Sequence, residues 1–541
     1  MSQHDQLVAN LARSLSDALS PCSYQGSTEQ GRDETKIIQT HISSVILVGA
    51  DAYKLKRDIK LPFLDFSTLQ QRRRFCLLEL QVNRRTAPQI YLEVVAVTGS
   101  VDHPAINGAG DVIDWAVHMR RFESGKLFSE MAEHANLTLQ HVTDLAHHLA
   151  TFHQGLTPLV ASEVSHIKPT PEWLLGSLDE IEALCRDRAN IGSEINQLRS
   201  ISTAEWESCH GFRVTRVDQG FIRECHGDLH LANITFAGNE VVAFDAIEFE
   251  QDLRKIDLIN EIAFTFMDLF AHGLPEHAWQ FLNAYLQTTG DYDGLRQLVY
   301  FTRYRAIIRA KVALLGMHNE IEQDETQNQQ KKILNEKFRR YWRIACTPPI
   351  TTCSPSIYLV GGLSGSGKST VAEILSRSLA AVWLRADVER KRLYPNPDPS
   401  IRYSADATKQ TYEYLTSLAE NLIQCGFNVV VDATFLNADQ VEVFRERVAD
   451  MRSKGISCKL HGIVCHASEQ VLSQRIASRA VQGADPSEAT LEVLAAQRQK
   501  LAVTPLHWPI PVEMIKNEGT LRDLENRVKL LKASFEGNFL E

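Results

Sequence analysis

Hydrophobic positions at the start of the chain recur every fourth residue. Leu7, Leu11, Leu15 and Leu19 fall on one side of a helix predicted over residues 1–20. Residues 21–34, rich in Gly, Ser and acidic side chains, predict a loop. From Thr35 to about Val97 the pattern turns β-like. Ser44–Val48 reads as a strand, Gly49-Ala50-Asp51 as a turn, and Ala52–Lys56 as the returning strand. A helix is expected from about Thr68 to Arg84, then strands at Tyr91–Val97 and Trp115–Phe122. Residues 127–225 read as mostly helical, for example Val142–His153. A short hairpin follows, with strands at Asn233–Phe236 and Val241–Asp245 and turn residues at its tip. Helices are expected again from about Asp257 to Trp342.

Pro348, Pro349 and Pro355 interrupt this pattern and cannot propagate a helix. Beyond them strands alternate with helices. The strands are Ile357–Val360, Val382–Asp387, Val429–Asp432, Leu460–Cys465 and Val512–Ile515. Such βα alternation implies a parallel sheet covered on both faces. Asn437 with Gln440, and Thr520 with Asp523, mark helix starts. The expected domains are therefore 1–345, a linker at 346–355, and 356–541.

Composition changes this picture little. The 541 residues are 44% hydrophobic and 23% charged, as in an ordinary globular protein. A net charge of −10 argues against a partner that needs a broad basic surface, so nucleic acid is not the expected ligand. The 10 cysteines contain no C-x-x-C pair and read as reduced thiols. The N-terminal stretch is polar, and no uncharged apolar run approaches the ~20 residues that span a bilayer. A cytoplasmic protein without a membrane partner is expected.

The chemistry concentrates in two places. Gly362-Leu363-Ser364-Gly365-Ser366-Gly367-Lys368-Ser369 has the G-x-x-x-x-G-K-S spacing between a strand and a helix. Its glycines let backbone N–H groups face phosphates, and the helix N-terminus adds partial positive charge. Gly362, Ser364, Gly365, Ser366, Gly367, Lys368, Ser369 and Thr370 are the expected nucleotide-binding residues, with Lys368 on the β- and γ-phosphates and Ser369 on Mg²⁺. Asp387, at a strand end, suits a base for an attacking hydroxyl, and Arg390 one turn on suits the acceptor or its phosphate. Asp432 ends the next strand and suits a Mg²⁺ ligand. Arg475 and Arg479 share one helix face.

The second place is His226-Gly227-Asp228 with Asn233 and, after the hairpin, Asp245. A base and a metal ligand five residues apart span one tight loop: Asp228 to orient or deprotonate a hydroxyl, Asn233 and Asp245 to hold Mg²⁺. Such a site also needs a lysine on an early strand and a glutamate on the next helix. Lys54 and Glu79 fit, with Lys56 on the same strand face as the alternative. The turn before them, within Thr40–Ser44, holds no glycine.

The H-G-D loop resembles the aminoglycoside phosphotransferase and choline kinase branch of the protein-kinase-like fold, over about residues 35–340. The C-terminal motifs resemble small P-loop kinases of the zeta-toxin, gluconate-kinase and polynucleotide-kinase type, over about residues 355–541. In those kinases a face like that of Arg475 and Arg479 closes as a lid over the phosphates. The whole resembles bacterial fusions of an aminoglycoside phosphotransferase-like domain with an AAA-type ATP-binding domain. The resemblance implies an α/β and α+β chain, with an N-terminal bilobal protein-kinase-like fold and a C-terminal P-loop NTPase with a parallel sheet. It implies ATP and Mg²⁺ as cofactors and transfer of the γ-phosphoryl group to a hydroxyl of a small molecule. Two alternatives stay open: only the P-loop part catalyses while the other recognises substrate or regulates, or the acceptor is a nucleic-acid end.

Overall fold

Amphipathic spacing at the N-terminus produces α1 (Gln3–Leu19), and Leu7, Val8, Leu11 and Ala12 on its inner face are buried. The computed structural model describes residues 2–19, 35–61, 64–186, 191–318, 325–396, 398–482, 490–503 and 507–537, so the loop expected over 21–34 lies outside the described residues. The chain divides into two compact units, Met1–Trp173 with His210–Asp268, and Leu174–Cys209 with Leu269–Glu541. The expected linker at 346–355 falls inside the second.

The first unit is built on a six-stranded antiparallel sheet. Its strands are β1 (Lys36–Gln39), β2 (Ser43–Val48), β3 (Asp51–Lys56), β4 (Tyr91–Gly99), β5 (Pro104–Ile106) and β6 (Val112–Arg120), in the order β1-β2-β3-β6-β4-β5. The period of two along β3 sorts its side chains. Leu55 and Tyr53 join Ile46, Val95 and Val97 under α1, whereas Ala52 joins Cys76 of α2 (Leu69–Asn83) on the opposite face. Lys54 and Lys56 follow Ala52 toward α2. Thr68 caps α2 by accepting the Gln71 N–H at 3.2 Å.

Later in the chain, β7 (Ile222–Glu224) pairs with β10 (Lys255–Asp257), and the hairpin β8 (Ile234–Ala237) and β9 (Glu240–Ala243) lies between them in sequence. The helices α3 (Leu139–Gly155) and α4 (Leu258–Ala271) flank this segment in the chain. Arg216 and Asp257 form a buried bidentate pair at 2.6 and 2.7 Å. That geometry satisfies both ions where an unpaired one would be strongly unfavourable.

The second unit holds helices α5 (Pro275–Thr289) and α6 (Leu298–His318) and a five-stranded parallel sheet. The sheet order is β12 (Ala381–Arg385), β13 (Asn428–Asp432), β11 (Ser356–Gly361), β14 (Lys459–His466), β15 (Val512–Lys516). Every residue of the central β11 is buried, as expected of a strand covered on both faces. The helices α7 (Lys368–Ser378), α8 (Ala386–Leu393), α9 (Ala405–Gln424), α10 (Ala438–Ser453), α11 (Glu469–Gln482) and α12 (Leu491–Val503) connect the strands, and α13 (Leu521–Gly537) follows the last. The Asn437–Gln440 capping box starts α10.

Two local expectations change. β12 stops at Arg385, and Asp387 is the second residue of α8 instead of a strand end. Arg303, Arg305, Arg309 and Lys311 form a basic run on α6 whose pattern alone reads as a solvated face, but the run is largely internal: Arg303 and Arg305 are buried, and Arg303 pairs with Glu205 at 2.9 Å. Among the described residues, no helix is long and apolar enough to cross a membrane.

Candidate active sites

In the first unit, strand alternation delivers Lys54 and Lys56 to one buried carboxylate. The Lys54 Nζ lies 2.8 Å from Glu79 Oε1 and 2.5 Å from Asp245 Oδ1. Lys56, with no exposed side-chain surface, bridges Glu79 and Glu248. Burial alone would lower the Lys54 pKa, but Asp245 and Glu79 more than offset this and hold it well above the lysine range. Burial likewise works to raise Glu79, and the two ammonium groups overcome it, drawing the carboxyl down to about 2. Glu248 goes the other way: burial raises it, and Lys56 only partly compensates.

Asp245 sits in the left-handed region at φ 62°. For a non-glycine residue this costs about 1 kcal/mol or more. The conformation is held from outside, because its N–H donates to Tyr91 Oη at 3.1 Å and the next N–H, of Ala246, donates to Asn83 Oδ1 at 2.7 Å. His226 ties the H-G-D loop to the same segment. Its Nδ1 accepts the Asp228 N–H at 3.3 Å, so the neutral ring carries its proton on Nε2, which donates to the Phe244 carbonyl at 2.9 Å. Burial pushes the His226 pKa down to about 4, which keeps this tautomer near neutral pH.

Asn233 Nδ2 donates to Asp228 Oδ2 at 3.0 Å, and the Phe244 N–H donates to the Asn233 carbonyl at 2.9 Å. The hairpin therefore folds Asn233 and Asp245 toward one place, with the Asp228 carboxylate one-third exposed beside them. A row on α4 supports the loop from below. Glu261 accepts the N–H groups of His226 and Gly227 at 2.6 and 3.0 Å, Thr265 donates to the Leu229 carbonyl at 2.7 Å, and Asp268 accepts the Leu231 N–H at 2.9 Å. Their i, i+4, i+7 spacing puts them on one helix face. His153, Cys225 and Glu261 also offer ligand atoms within 4.8 Å of one another, but Glu261 is already spent on the loop backbone.

In the second unit the loop between β11 and α7 is shaped before any ligand arrives. Gly365 and Gly367 have φ of 82° and 80°, and a Cβ on Gly367 would lie 2.0 Å from Asn517 Nδ2. Asn517 donates to the Ser366 carbonyl at 2.9 Å, and Arg475 reaches the Gly365 carbonyl at 3.4 Å. Lys368 and Asp432 are both buried. Burial raises the Asp432 pKa; Lys368, Arg385 and a hydrogen bond from Ser369 oppose it, and Asp387 adds to it. Asp432 Oδ1 and Ser366 Oγ are buried without a hydrogen-bond partner. Orphaned acceptors beside a buried lysine and a serine hydroxyl fit a divalent cation with phosphates. A cavity of about 580 Å³ opens beside the loop, lined by Gly367, Thr370, Arg475, Asn517, Leu521 and Leu524. Its volume suits a small-molecule site.

On α8, Arg390 is buried against the Tyr403 ring at 5.1 Å, and its Nε has no hydrogen-bond partner. Its Nη1 lies 3.3 Å from Thr408 Oγ1. Asp387 is half-buried on the same helix.

Residues 357–504 match the AAA domain family. This part of the chain is similar to AAA domains. A wider relative is an uncharacterized protein of Mycobacterium tuberculosis (strain ATCC 25618 / H37Rv), 28% identical over 474 residues, which span 85% of this chain and 88% of the relative. Among solved structures, an ethanolamine kinase of Plasmodium vivax is 14% identical with a TM-score of 0.35, over 60% of this chain and 84% of its own. A gluconokinase from Sinorhizobium meliloti 1021 is 19% identical with a TM-score of 0.26, over 34% of this chain and 95% of its own.

The part similar to AAA domains gathers Lys368, Ser369, Asp432 and Arg475 around its loop, while Arg479 lies on α11 with its side chain outside the described residues. Sequence reasoning missed Arg385 and Asn517 of the second unit, and Glu248, Glu261, Thr265 and Asp268 of the first. The α4 row had a readable signal: Glu261, Thr265 and Asp268 share one face of a helix whose other residues are apolar except Asn260.

Proposed function

We propose that this protein is an ATP-dependent phosphotransferase that moves the γ-phosphoryl group of ATP to a hydroxyl of a small-molecule acceptor, with a nucleotide site in each part. The observation that carries the reading is the trio of buried Lys368, half-buried Ser369 and buried Asp432, whose Oδ1 has no hydrogen-bond partner, beside a glycine-shaped loop. In the AAA domain, Lys368 and the loop N–H groups bind the phosphates, and Arg475 closes one side. Asp387 takes the acceptor proton as the acceptor oxygen bonds to the γ-phosphorus and the bond to the β-phosphate oxygen breaks. Arg390 holds the acceptor. Ser369 and Asp432 would hold a Mg²⁺, which would supply charge neutralisation for the phosphates. In the first unit, Lys54 and Glu79 serve the phosphates and Asp228 the acceptor hydroxyl, and Asn233 with Asp245 would hold a second Mg²⁺. Positioning and electrostatics supply most of the rate at both places.

A second reading, in which only the AAA domain turns over, is favoured by one feature. The turn between β1 and β2 has no glycine to bring backbone N–H groups onto phosphates. Calorimetric titration with Mg²⁺ and a non-hydrolysable ATP analogue tests both. Two sites are expected in the wild type, one in Lys368→Ala and one in Asp245→Asn. A single site lost in Lys368→Ala and kept in Asp245→Asn would support the second reading; no binding at all would remove both.

A further inference from the structure

One helix in the second unit is polar along a single line, and that line turns toward the C-terminal sheet and its helices. Glu276, Gln280, Asn283 and Gln287 of α5 are spaced four, three and four residues apart, so they share one face. Each meets the AAA domain. Glu276 lies 3.7 Å from Arg377, and Gln280 donates to Glu373 at 3.1 Å. The buried Asn283 amide donates to the Ala381 carbonyl at 3.0 Å and accepts the Trp383 N–H at 2.8 Å. It thereby takes the place of the missing neighbour strand along the edge of β12. Gln287 accepts from Arg385 at 3.4 Å through its side chain and from Arg392 at 2.7 Å through its carbonyl.

The same segment holds α8, the helix that carries Asp387 and Arg390. Tyr292 donates its hydroxyl to Glu389 Oε1 at 2.9 Å. Glu389 has no exposed surface and also pairs with Arg392. Gly290, at φ 78°, leaves room for that arginine, since a Cβ there would lie 2.7 Å from Arg392 Nε. Farther in, Arg385 stacks over Trp383 at 4.7 Å and places its Nε 3.8 Å from Asp432 Oδ2.

We propose that α5 and the turn after it are a working part of the P-loop site, with Gln287, Tyr292 and Glu389 as positioning residues for its acceptor side. The proposal rests on reading Asp387 and Arg390 as acceptor groups. Glu389 lies between them on a helix, so its anchor fixes the rotation of both. With side-chain tips about 5–6 Å from the helix axis, a turn of about 20° moves a carboxylate by roughly 2 Å. Misplacement by about 1 Å can lower a rate by ~100-fold. Residues that the sequence pattern places in the N-terminal domain thus set the geometry of the C-terminal one.

The test uses the full chain as wild type, Tyr292→Phe and Gln287→Leu. Two quantities are read: backbone hydrogen exchange over 386–393 and 362–369, and the rate of the Lys368-dependent labelled product from γ-labelled ATP and a small-metabolite extract. Tyr292→Phe is expected to speed exchange over 386–393 but not 362–369. It should leave the affinity for the ATP analogue within about twofold and slow transfer at saturating ATP by about 10- to 100-fold. Unchanged exchange over 386–393 in both variants overturns the proposal. So does exchange that rises equally over 362–369 with loss of nucleotide affinity, which is general loosening. If the wild type yields no Lys368-dependent product, the kinase reading falls, and exchange over 386–393 still decides whether the segment holds α8.

Discussion

Replacing Lys56 by methionine should strand Glu248. The lysine side chain is fully buried, Glu248 is 4% exposed, and Lys56 is the group that pairs with it. Glu79 keeps a second partner in Lys54, so the damage centres on Glu248. Removing one member of a buried pair costs about 3–5 kcal/mol. That corresponds to roughly a 140- to 3,700-fold rise in the opening equilibrium of the first unit. Glu248 can escape part of the penalty by taking up a proton, a form its burial already favours. The penalty should therefore be larger at about pH 8 than at about pH 5. Cys76 supplies the assay: it is fully buried on α2, and burial pushes its thiol up to about 12, so it reacts only on opening. Its labelling rate, followed by mass spectrometry of the Cys76 peptide, should rise by about two orders of magnitude or more in Lys56→Met. It should fall back toward wild type in Lys56→Met with Glu248→Met, because apolar groups of similar size replace a buried pair at little cost. A single variant that labels like wild type, or a double variant worse than the single, would refute the reasoning.

Acid should weaken the fold early. Burial lowers His226 from 6.5 to about 4 and His153 from 6.5 to about 3. With folded values below the unfolded ones, the unfolded chain takes up protons first as pH falls. The midpoint of thermal unfolding should therefore hold above about pH 7 and drop from about 6.5 toward 4; a midpoint flat across that window would contradict these assignments. Glu261→Gln offers one acceptor oxygen where the carboxylate now receives the His226 and Gly227 N–H groups, so it should abolish the Asp228-dependent product and spare the Lys368-dependent one, as read by labelled transfer. Gly367→Ala drives a methyl group into Asn517 at a positive φ and should remove the analogue site of the AAA domain in calorimetry, leaving the other.

Local patterns with a fixed period were readable from the residues. The alternation at Ala52–Lys56, the helix over Leu69–Asn83, the β8–β9 hairpin and the five parallel strands all follow from nearest-neighbour rules. So did the bend of the P-loop, because its glycines have no other economical use. What stayed hidden depends on partners far apart in sequence. Glu248 is 192 residues from Lys56, and Asn283 is 98 from Ala381, and neither stands out from an ordinary polar residue until the fold brings its partner close. The burial of Arg303 and Arg305 was missed for the same reason: a basic run on a helix reads as solvated unless its acceptors, here Glu205 and the Ala345 carbonyl, are known. Asp387 moved from strand end to helix because Ala386 already starts α8, a boundary the side-chain pattern does not mark.

The central claim is phosphoryl transfer from two sites, and it is tested most directly by transfer itself. Purified wild type, Asp228→Asn and Lys368→Ala would each be incubated with γ-labelled ATP, Mg²⁺ and a small-metabolite extract, and free phosphate and labelled small molecules followed together. The account predicts that each variant loses a different labelled product. Label appearing only as free phosphate in the wild type, or every product lost in Lys368→Ala with none affected in Asp228→Asn, would contradict it.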